Sequence, residues 1–176
     1  MQNCCCIMLY SFFFLYVRLG VIFWLYGLSC LALDLQMSSP LRPYLGFADG
    51  ASRSTQNIAS AAWVLFYPSH HLVESGGICL GPATNNVVEY SSVIELLGVT
   101  SALGVSRLVV YMDSQLVVSQ LNRVYQVRDP FLLRKVLRVR LLERLFEFIT
   151  YIHIPQDLNS LVDSLANYVI EWHSLH

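Results

Sequence analysis

The sequence predicts an α/β domain, a mixed β-sheet with helices on its faces, and three observations carry that prediction. Three apolar runs separated by turn residues come first, which is the pattern of an antiparallel meander. The later run Arg107–Met112 is continuously apolar after its first residue, as is typical of a strand buried on both faces of a parallel sheet. Stretches with helical spacing precede and follow it, so the expected order is β-β-β-α-β-α-α-β-α.

Each predicted strand is an apolar run that stops at a turn-forming or acidic residue. The five strands are Tyr44–Asp49, Ala61–Tyr67, Leu72–Leu80, Arg107–Met112 and Phe146–Ile154. We expect Gly50 to turn the chain after the first strand, and the pair Gly76-Gly77 to interrupt the third.

The four predicted helices begin near capping residues and carry apolar side chains at helical spacing. They are Asn86–Leu103, Ser114–Leu121, Phe131–Arg144 and Ser160–Trp172. Gly104 closes the first helix, and Asn159 is the expected cap of the last one. In the helix Phe131–Arg144, apolar and basic residues mix without one clear apolar face.

The composition divides the chain of 176 residues into two unequal parts. Overall, 55% of the residues are apolar, 13% are charged and the formal net charge is −1. That balance excludes a strongly basic nucleic-acid coat protein and an acidic disordered tail. In Met1–Leu33, however, 26 residues are apolar and only Arg18 is charged. We therefore expect an apolar leader over 1–35, a linker with prolines and serines over 36–43, and one domain over 44–173.

The apolar leader has three interpretations that its residues leave open. It is long enough to insert into a membrane, although Arg18 would lie near the middle of the span. It fits equally an extension unrelated to the domain, and less well a signal peptide, since no basic residue precedes Arg18. Four of the five cysteines lie here and only Cys79 lies in the domain, so we expect no disulfide-linked partner. An intracellular compartment suits such a domain, whereas membrane association of the leader stays open.

Four acidic residues lie at predicted element boundaries. Asp49 and Asp113 each end a strand, while Glu89 and Asp163 lie in the first turns of helices. Carboxylates gathered at strand ends repel one another unless a cation neutralises them, and oxygen ligands favour Mg²⁺ or Mn²⁺ over zinc. Each acid also has a structural alternative: a turn at Asp49, a helix cap at Asp113, and contacts with helix dipoles for the other two. The spacing leaves both interpretations open.

Four short motifs occur in a fixed order. They are Asp49–Ser52 (DGAS), Thr84–Tyr90 (TNNVVEY), Met112–Val117 (MDSQLV) and Asn159–Asn167 (NSLVDSLAN). In these motifs the chain resembles the type 1 ribonuclease H family over about residues 44–172, and in particular its plant and LTR-retrotransposon branch of reverse-transcriptase-like domains. The resemblance implies a mixed five-stranded sheet, three antiparallel strands and then parallel additions, flanked by helices. It also implies endonucleolytic hydrolysis of the RNA strand of RNA–DNA hybrids with two Mg²⁺ ions, for which Mn²⁺ is a substitute.

The same resemblance assigns roles to individual residues. The residues that match the family's catalytic metal ligands are Asp49, Glu89, Asp113 and Asp163. The expected contacts with the sugar edge of the hybrid are Asn85, Asn86 and Gln115, and Ser52 is a further expected nucleic-acid contact. An amide both donates and accepts hydrogen bonds, so it suits the 2′-hydroxyl of RNA without reading base sequence. His153 matches a mobile histidine that helps to release product, with a plain exposed strand end as its alternative; for the two asparagines the alternative is helix capping.

The stretch 123–144 is basic within a chain of near-neutral charge. It holds seven Lys or Arg residues against two acids, a local balance of +5. Positive charge of this kind fits contacts with phosphates, and Arg123 and Arg128 are the expected nucleic-acid contacts. A solvated helix with ordinary ion pairs is the alternative.

A few positions depart from the family's pattern. Ala59–Ala62 replaces glycines near the second strand, and Val88 and Val162 replace the alanines usual before two of the acids. Gln156 stands where a basic residue is common. None of these changes removes a metal ligand, but together they keep a second function open: a degenerate or domesticated copy that binds nucleic acid without cutting it.

Overall fold

The computed structural model describes residues 7–9 and 42–175. The apolar leader predicted over 1–35 and the linker predicted over 36–43 lie outside the described residues, apart from residues 7–9 and 42–43. Within the described part of the chain, no helix is both long and apolar enough to cross a membrane.

The described residues form one mixed β-sheet of six strands. In chain order the strands are β1 (Ile7–Leu9), β2 (Tyr44–Arg53), β3 (Ile58–Phe66), β4 (Leu72–Cys79), β5 (Arg107–Met112) and β6 (Phe148–His153). Their spatial order is β1-β4-β3-β2-β5-β6. The neighbouring pairs β1–β4, β4–β3 and β3–β2 are antiparallel, whereas β2–β5 and β5–β6 are parallel. The predicted five-stranded mixed sheet is confirmed in β2 to β6, and β1 adds a short edge beside β4.

The described residues also form four α-helices, which lie on the two sides of this sheet. They are α1 (Asn85–Ala102), α2 (Gln115–Leu121), α3 (Pro130–Glu143) and α4 (Ser160–Leu175). Helix α1 packs on β2 and β3 and carries α3 against it, while α4 packs on β2, β3 and β4. Because side chains alternate along a strand, Trp63 belongs to the larger core under α1, and its neighbour Val64 belongs to the smaller core under α4.

The first strand of the domain is longer than predicted. Asp49 does not end it, because β2 continues to Arg53, and Gly50 stays extended instead of turning the chain. A Cβ at Gly50 would lie 2.7 Å from the Cβ of Val88 on α1. The glycine is therefore needed for close packing between strand and helix rather than for a turn.

Strand β4 runs through Gly76 and Gly77 without a break, contrary to the prediction. A Cβ at Gly76 would lie 2.6 Å from the ring of Trp63, and one at Gly77 would lie 2.6 Å from Val169 on α4. Both positions thus mark a close approach of the sheet to a neighbouring side chain. The remaining predicted elements are found with small shifts at their ends, and Arg107–Met112 is found without any.

Candidate metal site and nucleic-acid interface

Asp49 lies in the middle of the central strand β2, on the face that α4 covers. It pairs with Ala62, which belongs to the core under α4, and it is only 5% exposed. Its Oδ1 accepts a hydrogen bond of 2.7 Å from the backbone N–H of Gly50. Aspartate is rarely this buried unless its charge is partnered, so its position calls for a ligand or a proton.

Glu89 and Asp113 reach the same point from two other elements. Asp113 directly follows β5, which runs parallel to β2. Glu89 lies in the second turn of α1, which corrects the predicted first-turn position, because the helix begins at Asn85. Carboxylate oxygens of Asp49, Glu89 and Asp113 all lie within 4.8 Å of one another. Three of the four predicted ligands therefore converge.

The electrostatics of this cluster favour a bound cation. Burial, followed by the charges of Asp113 and Asp163, raises the pKa of Asp49 to about 7, although the hydrogen bond from Gly50 opposes the shift. Burial, followed by the charges of Asp49 and Asp113, raises the pKa of Glu89 to about 9. The Oε2 atom of Glu89 is buried without a hydrogen-bond partner among the described residues. An oxygen-only donor set that repels itself and holds an orphaned buried oxygen fits a divalent cation such as Mg²⁺.

Asp163 lies beside this cluster, in the first turn of α4 as predicted. It is not one of the three acids within 4.8 Å, but its charge contributes to the raised pKa of Asp49. Asn167 donates a hydrogen bond to Asp163 Oδ1 at 3.2 Å and so orients the carboxylate. Asn159, predicted only as a helix cap, is buried and donates to the backbone oxygen of Ala48 at 3.4 Å. That contact ties the start of α4 to β2 next to Asp49, a positioning role that the sequence pattern did not indicate.

His153 lies next to the acids at the end of β6. It pairs with Met112, the last residue of β5, and it is exposed. Its Nε2 lies 3.1 Å from the backbone oxygen of Asp113. His153 thus lies at an exposed strand end and also close to the acidic cluster. An imidazole can donate and accept protons there.

Known proteins share this arrangement of elements and sequence. A protein-family profile described as "Reverse transcriptase-like" matches residues 47–169, which include the four acids and His153. The chain belongs to this reverse transcriptase-like family. Ribonuclease HI of Halobacterium salinarum is 36% identical over 125 residues, 71% of this chain and 63% of that protein. The bifunctional protein Rv2228c of Mycobacterium tuberculosis is 36% identical over 121 residues, 68% of this chain and 33% of that protein. The chain thus spans less than two thirds of the length of either relative.

Solved structures identify the fold of this reverse transcriptase-like domain as ribonuclease H-like. RNase H1 from Halobacterium salinarum matches with a TM-score of 0.71 and 35% identity, over 73% of this chain and 98% of that chain. LC11-RNase H1, solved in complex with an RNA/DNA hybrid, matches with a TM-score of 0.71 and 26% identity, over 76% and 99%. The foamy viral protease-reverse transcriptase matches with a TM-score of 0.61 over 73% of this chain and 20% of that chain; its 17% identity supports the fold alone. The predicted ribonuclease H-like fold is confirmed.

The ribonuclease H-like domain presents the predicted amides at the amino ends of two helices. Asn85 is the first residue of α1 and is exposed, Asn86 follows it, and Gln115 is the exposed first residue of α2. Thr84 and Ser114 occupy the N-cap positions of these helices. The interpretation of Asn85, Asn86 and Asp113 as helix caps is therefore wrong.

The other predicted nucleic-acid contacts divide into one structural and two free side chains. The hydroxyl of Ser52 donates a hydrogen bond of 2.8 Å to the backbone oxygen of Ala83, which fixes the loop before α1 against β2. Arg123 and Arg128 are exposed, and their side chains make no hydrogen bond or ion pair with other described residues. Arg123 follows α2 in the left-handed region, with φ of 64°.

Two members of the basic stretch have structural partners instead. Arg140 forms an ion pair of 2.7 Å with Glu143 and donates to the backbone oxygen of Leu121, so the ion-pair alternative is confirmed for this residue. Lys135 donates a hydrogen bond of 2.9 Å to the hydroxyl of Ser91 on α1, and burial lowers its pKa. The local charge of +5 therefore overstates what is available to a ligand.

Proposed function

We propose that this domain hydrolyses the RNA strand of RNA–DNA hybrids endonucleolytically, with two divalent cations held by the three clustered acids and the neighbouring Asp163. The observation that carries the proposal is the convergence of Asp49, Glu89 and Asp113 within 4.8 Å from three different elements. The relatives support it, because they include a ribonuclease HI and an RNase H1 solved in complex with an RNA/DNA hybrid.

The four acids fit Mg²⁺, with Mn²⁺ as a substitute, because they offer oxygen ligands and a negative charge that needs compensation. When two such ions are bound, they supply an activated water and neutralise charge on the leaving oxygen of the phosphodiester. Asp49 would hold the cations together with its neighbours, since carboxylate oxygens of Glu89 and Asp113 lie within 4.8 Å and the charge of Asp163 also acts on it. Glu89 contributes a carboxylate whose Oε2 has no protein partner among the described residues.

His153 is assigned to proton movement and product release. It lies against the backbone of Asp113, at 3.1 Å, yet remains exposed to solvent. An imidazole in this position can take up a proton beside the acids and carry it to water. We therefore expect its loss to slow turnover more than binding.

Recognition of the hybrid is assigned to the polar groups around the acids. The proposed contacts are Asn85, Asn86 and Gln115 for the sugar edge, Arg123 and Arg128 for phosphates, and Ser52 through its hold on the loop before α1. Gln115 follows Asp113 by two residues, and Asn85 precedes Glu89 by about one helical turn, so amides and acids can meet one substrate backbone. An amide that both donates and accepts distinguishes a 2′-hydroxyl from the hydrogen of DNA.

The finer placement in the plant and LTR-retrotransposon branch is also part of this proposal. Its support is the set of motifs around Asp49, Glu89, Asp113 and Asp163 in the sequence. A degenerate copy that binds hybrids without cutting them is the competing function, and the departures at Val88 and Val162 are what favour it.

Cleavage of a labelled hybrid tests the proposed function. The full chain is incubated with Mg²⁺ and an RNA strand, labelled at its 5′ end and annealed to DNA. We expect internal cleavage of the RNA strand, an intact DNA strand and no attack on a DNA duplex. Asp113→Asn should abolish cleavage, because it removes a charge from the cation site. The matched control is Glu147→Gln, an exposed acid just before β6 at the opposite end of that strand from His153, which should cleave normally.

Two results would count against the proposal. A hybrid that the unaltered chain binds but does not cut would replace the enzyme with the degenerate binding domain. Equal cleavage by the unaltered chain and Asp113→Asn would place the activity outside the acidic cluster. A chelator added to an active reaction should stop it, since the acids alone cannot activate water against their own repulsion.

A further inference from the structure

Helix α3 carries apolar side chains on two opposite faces. Its inner face is buried against α1 and the larger core, through Leu132 and Val139. On its outer face, Leu133, Leu137 and Leu141 are 40%, 62% and 60% exposed. This explains why the sequence of α3 shows no single apolar stripe: one set of residues holds the helix to the domain and a second set faces solvent.

The three exposed leucines form a narrow ridge along the helix. They are spaced at i, i+4 and i+8, and such residues line up in one row on a helix surface. Rows of this kind pack into the groove of another helix at a crossing angle of roughly −50°. We call Leu133, Leu137 and Leu141 the leucine ridge. Its width of one side chain suits the groove of a single helix.

The charges beside the leucine ridge are all positive. Arg134 and Arg138 flank it and Arg144 lies at its end; each side chain is exposed and makes no hydrogen bond or ion pair with other described residues. The two acids of this region are already used: Glu143 is paired with Arg140, and Asp129 caps the helix by accepting from the backbone of its first turn. The positive charges beside the leucine ridge are therefore not neutralised by acids of this region.

We propose that the leucine ridge docks an acidic amphipathic helix of a partner protein, with leucines in the groove and glutamates or aspartates against the arginines. Nucleic acid suits this surface poorly, because three exposed leucines offer nothing to a phosphate backbone. A second copy suits it poorly as well, since pairing ridge to ridge would place the arginines of both copies together. A helix with an apolar row and acidic flanks satisfies both the leucines and the arginines.

The docking surface is independent of the proposed cleavage of hybrids. The leucine ridge lies on the α1 side of the sheet and on the face of α3 opposite the buried Leu132 and Val139. None of its residues belongs to the acidic cluster. Variants of the ridge should therefore bind a partner differently while cutting a hybrid as the unaltered chain does.

The test uses the full chain and two labelled peptides, each stapled to remain helical. The first peptide carries leucines at i, i+4 and i+8 with glutamates on both flanks, and the second has lysines in place of the glutamates. Fluorescence anisotropy should show at least tenfold tighter binding of the glutamate peptide. Leu137→Ser should weaken that binding at least tenfold. Arg138→Glu should weaken binding of the glutamate peptide and strengthen binding of the lysine peptide.

Controls separate the ridge from general stickiness. Leu158→Ser changes a leucine that is 65% exposed outside α3, and it should bind the glutamate peptide like the unaltered chain. Thermal melts of the variants should coincide with that of the unaltered chain, because the replaced side chains face solvent. Equal binding of the two peptides, or binding that Leu137→Ser and Arg138→Glu leave unchanged, would overturn the proposal. Binding to phosphatidylserine vesicles in place of the glutamate peptide would overturn it in favour of a membrane surface.

Discussion

Replacing Glu89 by glutamine tests whether the acids are held together against their own repulsion. Glu89 is 9% exposed, and burial followed by the charges of Asp49 and Asp113 raises its pKa from 4.5 to about 9. Below pH 4.5 both the folded and the unfolded chain keep the proton, so the group costs nothing. Between that pH and about 9, the folded protein keeps a proton that the unfolded chain releases. The free energy of unfolding of the metal-free protein therefore falls as pH rises through this window.

The size of this effect follows from the shift. At pH 8 the pH lies about 3.5 units above the ordinary pKa of Glu89, and at about 1.4 kcal/mol per unit the cost approaches about 5 kcal/mol. Glutamine is neutral in the folded and the unfolded state, so it removes this free-energy cost. Water entering the metal-free site lowers the cost, so we expect Glu89→Gln to raise the free energy of unfolding by about 2–5 kcal/mol at pH 8. At pH 4 the two proteins should differ little.

Urea unfolding followed by circular dichroism, with a chelator present, measures this difference at pH 4, 6 and 8. Adding Mg²⁺ at pH 8 should stabilise the unaltered chain, because the cation binds only the folded state, and should stabilise Glu89→Gln much less. The exposed acid Glu147 provides the matched control, since Glu147→Gln should show no such dependence on pH. The reasoning is refuted if Glu89→Gln is less stable than the unaltered chain at pH 8, or differs from it equally at pH 4 and pH 8.

Three further substitutions test the packing and the chemistry around this cluster, one of them as a control. Gly50→Ala should lower the free energy of unfolding by about 1–3 kcal/mol, because its Cβ would lie 2.7 Å from Val88; Gly98→Ala, with open space around it, should raise it by about 0.5–1 kcal/mol. Urea unfolding of both variants measures this, and equal losses would contradict the packing argument. His153→Ala should lower steady-state cleavage of a hybrid at least about tenfold while leaving hybrid affinity unchanged, because the imidazole lies beside Asp113 rather than at the amides. A loss confined to affinity would assign His153 to binding instead.

The most local patterns in the sequence were enough to predict much of the fold. Arg107–Met112 is found with the predicted bounds because five consecutive apolar residues, Leu108–Met112, follow the arginine, as a strand covered on both faces requires. Asp113 therefore falls at the end of β5, where ligands collect in parallel sheets. Predicting that Asp49, Glu89 and Asp113 converge required the resemblance to a family, since spacing alone left a structural alternative for each of them.

Glycine was the main source of wrong boundaries. Gly50 and Gly76 have the local signature of a turn, but each is required by a neighbour from another element, Val88 and Trp63. Such close approaches are tertiary, so no window of sequence around the glycine contains them. The predicted position of Glu89 in the first turn of α1 was also wrong. The helix begins at Asn85, one residue earlier than predicted, which puts the acid in the second turn.

Polar contacts between residues far apart in the sequence could not be predicted either. The ion pair of Arg140 with Glu143 is local, at i and i+3, and was one of the alternatives that the sequence offered. The contact of Arg140 with the backbone oxygen of Leu121, at the end of α2, appears only in the fold. The same glutamate accepts a hydrogen bond of 2.8 Å from Tyr151, whose pKa is raised by burial first and by Glu143 second. The two apolar faces of α3 could be separated only after the packing showed which leucines are covered.

The location of bound Mn²⁺ tests the central claim most directly. Crystals of the full chain grown with Mn²⁺ would be measured for anomalous scattering. We predict two peaks, contacted by the carboxylates of Asp49, Glu89, Asp113 and Asp163, and the loss of both in crystals of Asp49→Asn. A map with Mn²⁺ elsewhere, or with no peak beside Asp49 in the unaltered chain, would contradict the assignment of these acids to a cation site.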